Sequence, residues 1–220
     1  MDMHFYMSSQ ASLIMKGEVI VVTGTPGTGK TTLCRHIVKR NKEWTRLDLG
    51  RFAVKINAVV EYDRSLKTNI VDTRVLKRAL YKYVSTNVEK GVKLLIEGHY
   101  AAEVSPPKYV DYCIVLRCRP DVLWLRLKNI RGYVEEKARR NVESELTDYC
   151  YLMAKHHLGN RRIVQLDTTR RSVESLYNRF MEYYDDRAKH EGDKVDWIGF
   201  LLKHPEKMSF LFHEDLSRRR

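Results

Sequence analysis

Residues 18–32 read EVIVVTGTPGTGKTT, and this stretch decides the fold. Its first half is a short β-branched run that ends at glycine, the pattern of a strand buried on both faces of a parallel sheet. Its second half, Gly24 to Thr31, satisfies G-x-x-x-x-G-K-[ST] at every position and adds a further glycine at Gly27. A glycine-rich structural turn is the bland reading. A strand before and a helix after are the context that phosphate binding requires. Gly24, Gly27 and Gly29 let the backbone curl so that N–H groups converge on phosphate oxygens. The helix opening at Lys30 aims its partial positive end at the same point. Lys30 would reach the β- and γ-phosphates of ATP, Thr31 would hold Mg²⁺ through its hydroxyl, and Thr32 would add a contact near the α-phosphate.

Beyond the loop, Lys30–Arg40 reads as a helix and Trp44–Leu49 as a second strand. Residues 51–70 are mixed and polar, with short helical pieces expected. From Asp72 to Lys90 one apolar stripe (Val75, Leu76, Ala79, Leu80, Tyr83, Val84) predicts a helix that Gly91 ends. Lys93–Glu97, Tyr112–Leu116 and Arg162–Leu166 are the third, fourth and fifth strands. Pro120 opens a helix to about Lys128. Arg131–Tyr133 breaks it, and Glu135–His156 reads as one long helix. A last one runs from Ser172, its candidate N-cap, to Arg187. Alternating strands and helices predict an α/β fold, a five-stranded parallel sheet with helices on both faces. Right-handed crossovers then gather the loops after the strands along one edge, where such sheets bind ligands.

Three further constellations fall on that edge. Glu97 follows an apolar run beside the phosphate loop and is placed to hold Mg²⁺. Two residues on, His99 would position a water or stabilise transferring charge, unless it only packs. Arg117, Arg119, Arg126, Arg131, Arg139 and Arg140 form an arginine-rich segment, and phosphoryl transfer is mainly positioning and charge neutralisation. Arg131, at the break between two helices, suits a small lid hinge, with Arg126 and Arg139 next and the others solvated. Asp167 and Thr168, after the fifth strand, would either flank a nucleotide base or cap the next helix.

Composition sets outer bounds. A chain of 220 residues accommodates one α/β domain with a tail, and the net charge of +12 favours polyanionic partners such as nucleotides or RNA, or only a solvated basic surface. No apolar run is long enough to span a bilayer, and no basic region precedes the first apolar residues as in a secretory signal. Cys34, Cys113, Cys118 and Cys150 form no CxxC pair, so reduced thiols, no metal site and a cytoplasmic location are expected. The chain divides into a disordered leader (1–17), a kinase domain (18–189) and a C-terminal helical extension with a basic tail (190–220). In the extension, Val195, Trp197, Ile198, Phe200, Leu201 and Leu202 suggest a short amphipathic helix, and Phe210–Phe212 a second apolar cluster. Packing back onto the domain and docking a partner both fit these residues.

Taken in order, residues 22–32, Leu95–His99, Val115–Arg117, Arg131–Tyr133, Asn141–Glu143 and Asp167–Thr169 resemble the atypical adenylate kinase family of the isoenzyme 6 type. The resemblance covers about residues 18–187. It implies a nucleoside monophosphate kinase fold with an AMP-side insertion at about 48–72 and a short lid at about 131–137. It implies adenylate kinase activity, with AMP as acceptor, together with ATPase activity, and ATP and Mg²⁺ as cofactors. Its implied partners are a small-subunit ribosomal protein and rRNA during ribosome maturation. Asp48–Arg51, Glu61–Asp63 and Ile70–Asp72 map to the AMP side, and Glu97 and His99 to the acidic-x-His pair. Two departures stand out: Glu97 replaces a common Asp, and the segment before Arg131 is one residue longer than usual.

Overall fold

The computed structural model describes residues 17–159, 163–186 and 192–208. The expected leader, Arg162, the basic tail and the Phe210–Phe212 cluster lie outside these residues.

Five strands form the parallel sheet that the sequence predicts. They are β1 (Val19–Thr23), β2 (Trp44–Asp48), β5 (Lys93–Glu97), β6 (Tyr112–Arg117) and β7 (Ile163–Asp167), in the spatial order β2-β5-β1-β6-β7. Every residue of β1 is buried, as expected for a central strand covered on both faces. Alternate residues serve opposite layers. Val19, Val21, Leu94, Ile96, Cys113 and Val115 pack against α3 (Thr73–Glu89), α4 (Ala101–Val104) and α7 (Tyr149–Leu158). Ile20, Val22, Leu95, Ile114 and Leu116 meet α1 (Lys30–Arg40) and α8 (Val173–Asp185) on the other side. Each such fully buried aliphatic side chain contributes roughly 1.5–3 kcal/mol, so the two layers hold the sheet rigid. All four cysteines are free and buried, and none belongs to a metal-ligating cluster among the described residues. No helix among them is long and apolar enough to cross a membrane.

Three local differences from the sequence expectations have physical causes. Residues 51–70 are not only short helical pieces. After α2 (Leu49–Lys55), whose N-terminus Asp48 caps through Arg51 N–H, an antiparallel hairpin forms from β3 (Val59–Asp63) and β4 (Thr68–Val71). Its signal was masked because Val60, Tyr62 and Ile70 are exposed, so polar and apolar residues do not alternate cleanly. The expected helix 135–156 is two, α6 (Glu135–Leu146) and α7, broken where Asp148 adopts φ 55°. The helix opened by Pro120 is α-helical to Leu125 (α5) and then widens into a π-turn at Arg126–Ile130, closed by Arg131 N–H donating to Arg126 O at 3.1 Å. A π-turn absorbs one extra residue in a helix.

After Asp193, which receives the Asp167 N–H at 2.7 Å, the chain forms α9 (Trp197–Lys203) and a 3₁₀ turn at Pro205–Met208. Trp197 and Leu201 are buried on the domain, whereas Ile198 and Leu202 face solvent.

Candidate active site

The phosphate loop joins β1 to α1 at the centre of the sheet. Gly24, Gly27 and Gly29 all have positive φ, from 94° to 137°. At Gly24 a Cβ would lie 2.3 Å from Leu116 O, so only glycine fits. Gly29 has open space where a Cβ would stand, and no side chain caps α1. The first-turn N–H groups of α1 are therefore left for a ligand, as an anion site requires.

Lys30 turns back on this loop, its Nζ donating to Gly24 O at 2.6 Å and Thr25 O at 3.0 Å. Burial, reinforced by the nearby Arg131 cation, lowers its pKa to about 8. An anion at the loop would restore the ammonium form.

Strand register sets the next layer. Val22 pairs with Glu97, and Glu97 with Asp48, so two carboxylates stand side by side at the rim next to the loop. Arg46, two positions before Asp48 and so on the same face of β2, donates to Glu97 Oε1 at 2.5 Å and Asp48 Oδ2 at 3.1 Å. Sequence reasoning missed Arg46, because a lone basic residue in a strand carries no signal until register brings β5 beside it. Thr31, Asp48 and Glu97 line one cleft of about 590 Å³ and offer the hard oxygen ligands that Mg²⁺ takes.

His99 also faces this cleft, its backbone oxygen fixed by the Thr23 hydroxyl at 2.9 Å and its ring edge-on to Tyr100. The surrounding walls, then the Lys30 and Lys137 cations, lower its pKa to about 4, so the ring is neutral near pH 7.

The roof comes from two distant segments. Arg131 and Tyr133 before α6, and Lys137, Arg140 and Asn141 on it, reach in from one side, and Val59, Tyr62 and Thr68 from the hairpin. Lys137 joins them: its Nζ donates to Lys67 O at 3.0 Å and lies 4.5 Å from the Tyr133 ring centre. Arg131 is exposed and contacts Tyr133 Oη at 3.4 Å. Arg139, favoured by sequence, pairs instead with Glu135 at 3.3 Å. Asp63 and Asp72 have local duties, the first in the hairpin turn and the second capping α3.

A smaller pocket of about 220 Å³ opens on the other side of the loop, lined by Gly27, Gly29, Thr32, Arg126, Thr168 and Arg171 among others. Arg126 donates to Thr168 Oγ1 at 3.1 Å and to Thr168 O at 2.7 Å, closing its edge. Asp167 accepts the Thr169 N–H at 2.8 Å, which fixes the turn, while Ser172 caps α8. One arginine departs fully from expectation. Arg117 is 1% exposed rather than solvated, with Nε 2.7 Å from Glu145 Oε1 and further bonds to Gln165 and Asp148. Burial opposes its charge, yet these partners hold its pKa above the usual value.

Known proteins share this layout. The profile of the AAA domain family matches residues 20–148. A protein of Methanocaldococcus jannaschii named "Putative adenylate kinase" is 30% identical over 81% of this chain and 92% of its own length. A protein of the same name from Saccharolobus islandicus is 31% identical over 82% of this chain and 87% of its own. An unliganded sugar kinase from Janibacter sp. HTCC2649 shares the fold at TM-score 0.53, with 18% identity over 81% of this chain and 99% of that one. With one profile matching more than half of its residues and the archaeal similarity running through most of the rest, the chain belongs to the AAA domain family, alongside these archaeal relatives.

Proposed function

We propose that this chain is an adenylate kinase of the isoenzyme 6 type, converting ATP and AMP to two ADP, with ATPase activity and a role in maturation of the small ribosomal subunit. The observation that carries the kinase reading is the 590 Å³ cleft, which continues from the phosphate loop to the hairpin and so has room for an acceptor opposite the donor phosphates. The names of the archaeal relatives support it.

In this reading the loop N–H groups and Lys30 bind the β- and γ-phosphates, and the base lies in the smaller pocket against Arg126 and Thr168. Thr31 and Glu97, with Asp48 beside them, would hold Mg²⁺, which would supply neutralising charge at the phosphate oxygens. AMP sits between the hairpin and α6, its phosphate near Arg131 and Arg140. Arg131 supplies positive charge from the roof as the phosphoryl group moves, while Lys137 ties the roof to the hairpin. Closing the roof excludes water from the cleft.

His99 lines the cleft together with Lys30 and Glu97, where its ring can accept a hydrogen bond from an attacking water, and this placement supports hydrolysis as a second activity. The net charge of +12 suits a partner rich in RNA.

A product assay with Mg²⁺ and ATP, with and without AMP and with Lys30→Ala as control, tests the proposal. Two ADP per ATP consumed, only when AMP is present, is the expected result. ADP and phosphate at a rate independent of AMP would make hydrolysis the primary activity.

A further inference from the structure

Behind the phosphate loop, away from the cleft, lies a buried carboxylate that the proposed chemistry does not use. Glu145, near the end of α6, is 1% exposed. It accepts four hydrogen bonds from three separate parts of the chain. Thr25 Oγ1, in the phosphate loop, donates to Oε2 at 2.6 Å. Arg117 Nε donates to Oε1 at 2.7 Å and Cys118 N–H at 3.1 Å, both at the end of β6. Trp197 Nε1, on the C-terminal segment, donates to Oε1 at 2.9 Å.

We propose that Glu145 is a positioning residue for the phosphate loop and that Trp197 completes it, so that affinity for ATP depends on how the C-terminal segment is seated. A buried carboxylate must have its lone pairs satisfied, and here the donors are shared between the loop and the segment. Thr25 is wholly buried and its hydroxyl donates to Glu145, with the Cys150 thiol as its other neighbour, so Glu145 helps fix the loop beside the two carbonyls that Lys30 grips. Trp197 shares the carboxylate with the loop, donating to Oε1 while Thr25 donates to Oε2, and its departure would leave Oε1 to Arg117 and Cys118 alone. Because α6 also carries Lys137 and Arg140 into the roof, one helix connects loop, roof and C-terminal segment.

The inference rests on the loop binding ATP, so its test reads ATP affinity directly. Titration calorimetry with Mg²⁺ and a non-hydrolysable ATP analogue is run on the full chain. Thr25→Val, which leaves Arg117 and Trp197 paired with Glu145, should weaken binding about tenfold, the scale of one hydrogen bond to a charged group. Thr25→Ser restores the donor and should recover most of that loss. Trp197→Phe keeps the ring but removes the N–H, and should weaken the analogue about threefold while leaving the KM for AMP unchanged. Glu145→Gln should lower ATP affinity at least as much as Thr25→Val. Unchanged affinity in Thr25→Val overturns the positioning role, and unchanged affinity in Trp197→Phe overturns the role of the C-terminal segment. If ADP formation in the unaltered chain proves independent of AMP, the adenylate kinase reading fails, while the affinity comparison still decides this one.

Discussion

The floor of the cleft, Gly24 to Thr31, is made of backbone, whereas its roof, Arg131 to Asn141, is made of long side chains. Floor geometry is fixed by a strand buried on both faces, by three glycines with positive φ, and by the Thr25–Glu145 bond behind it. The roof's helix is anchored by buried Ala138 and Val142, but the side chains that reach over the cleft are held chiefly by Lys137 to Lys67 O and Arg131 to Tyr133. Preorganised dipoles need no rearrangement at the moment of reaction, while mobile cations can enter and leave with substrate. The contrast assigns affinity for the donor to the floor and capture of the acceptor to the roof.

The largest expected effect breaks the floor. Lys30→Ala should lower kcat by about 10³-fold, in line with removal of one preorganised electrostatic donor, in the same coupled ADP assay. Activity near that of the unaltered chain would remove Lys30 from the site. Arg131→Met tests the roof, with kcat falling about 10²-fold while the analogue still binds normally by calorimetry. A loss of binding equal to the loss of rate would make the roof part of the donor site.

His99→Ala should slow hydrolysis about tenfold with little effect on nucleotide affinity. Equal losses in both would mean that the ring only packs against Tyr100. The pH profile sharpens the floor further. Lys30 has a pKa of about 8, and only its protonated form carries the charge that binds phosphate. The kcat/KM for ATP should therefore fall as pH rises through about 8, approaching tenfold per pH unit, because this ratio reports groups of the free enzyme. The corresponding limb in kcat should lie at higher pH, since bound phosphates favour the ammonium form. The smallest effect is expected at Lys137→Ala, which unties roof from hairpin and should raise the KM for AMP about threefold without altering that for ATP.

Legibility in the sequence follows the range of the interactions. The phosphate loop was readable because its chemistry lies within a few consecutive residues, and Ser172 as a helix cap for the same reason. The hairpin was not, because Val60, Tyr62 and Ile70 are exposed where a solvated strand would alternate. Arg117 misled for a related reason. A basic residue at a strand end reads as solvated until α6 brings Glu145 beside it, 28 positions along the chain.

By itself, then, the sequence determined the succession of the five sheet strands, the glycine-rich loop and the acid at the end of β5, since these follow from local periodicity and from glycine's conformational freedom. Tertiary structure alone decided that Arg46 lies on Glu97, that Lys137 meets the hairpin tip, and that Trp197 reaches the carboxylate behind the phosphate loop. Each of these contacts joins residues at least 51 positions apart, and only the packing of finished elements can bring such side chains within hydrogen-bonding distance.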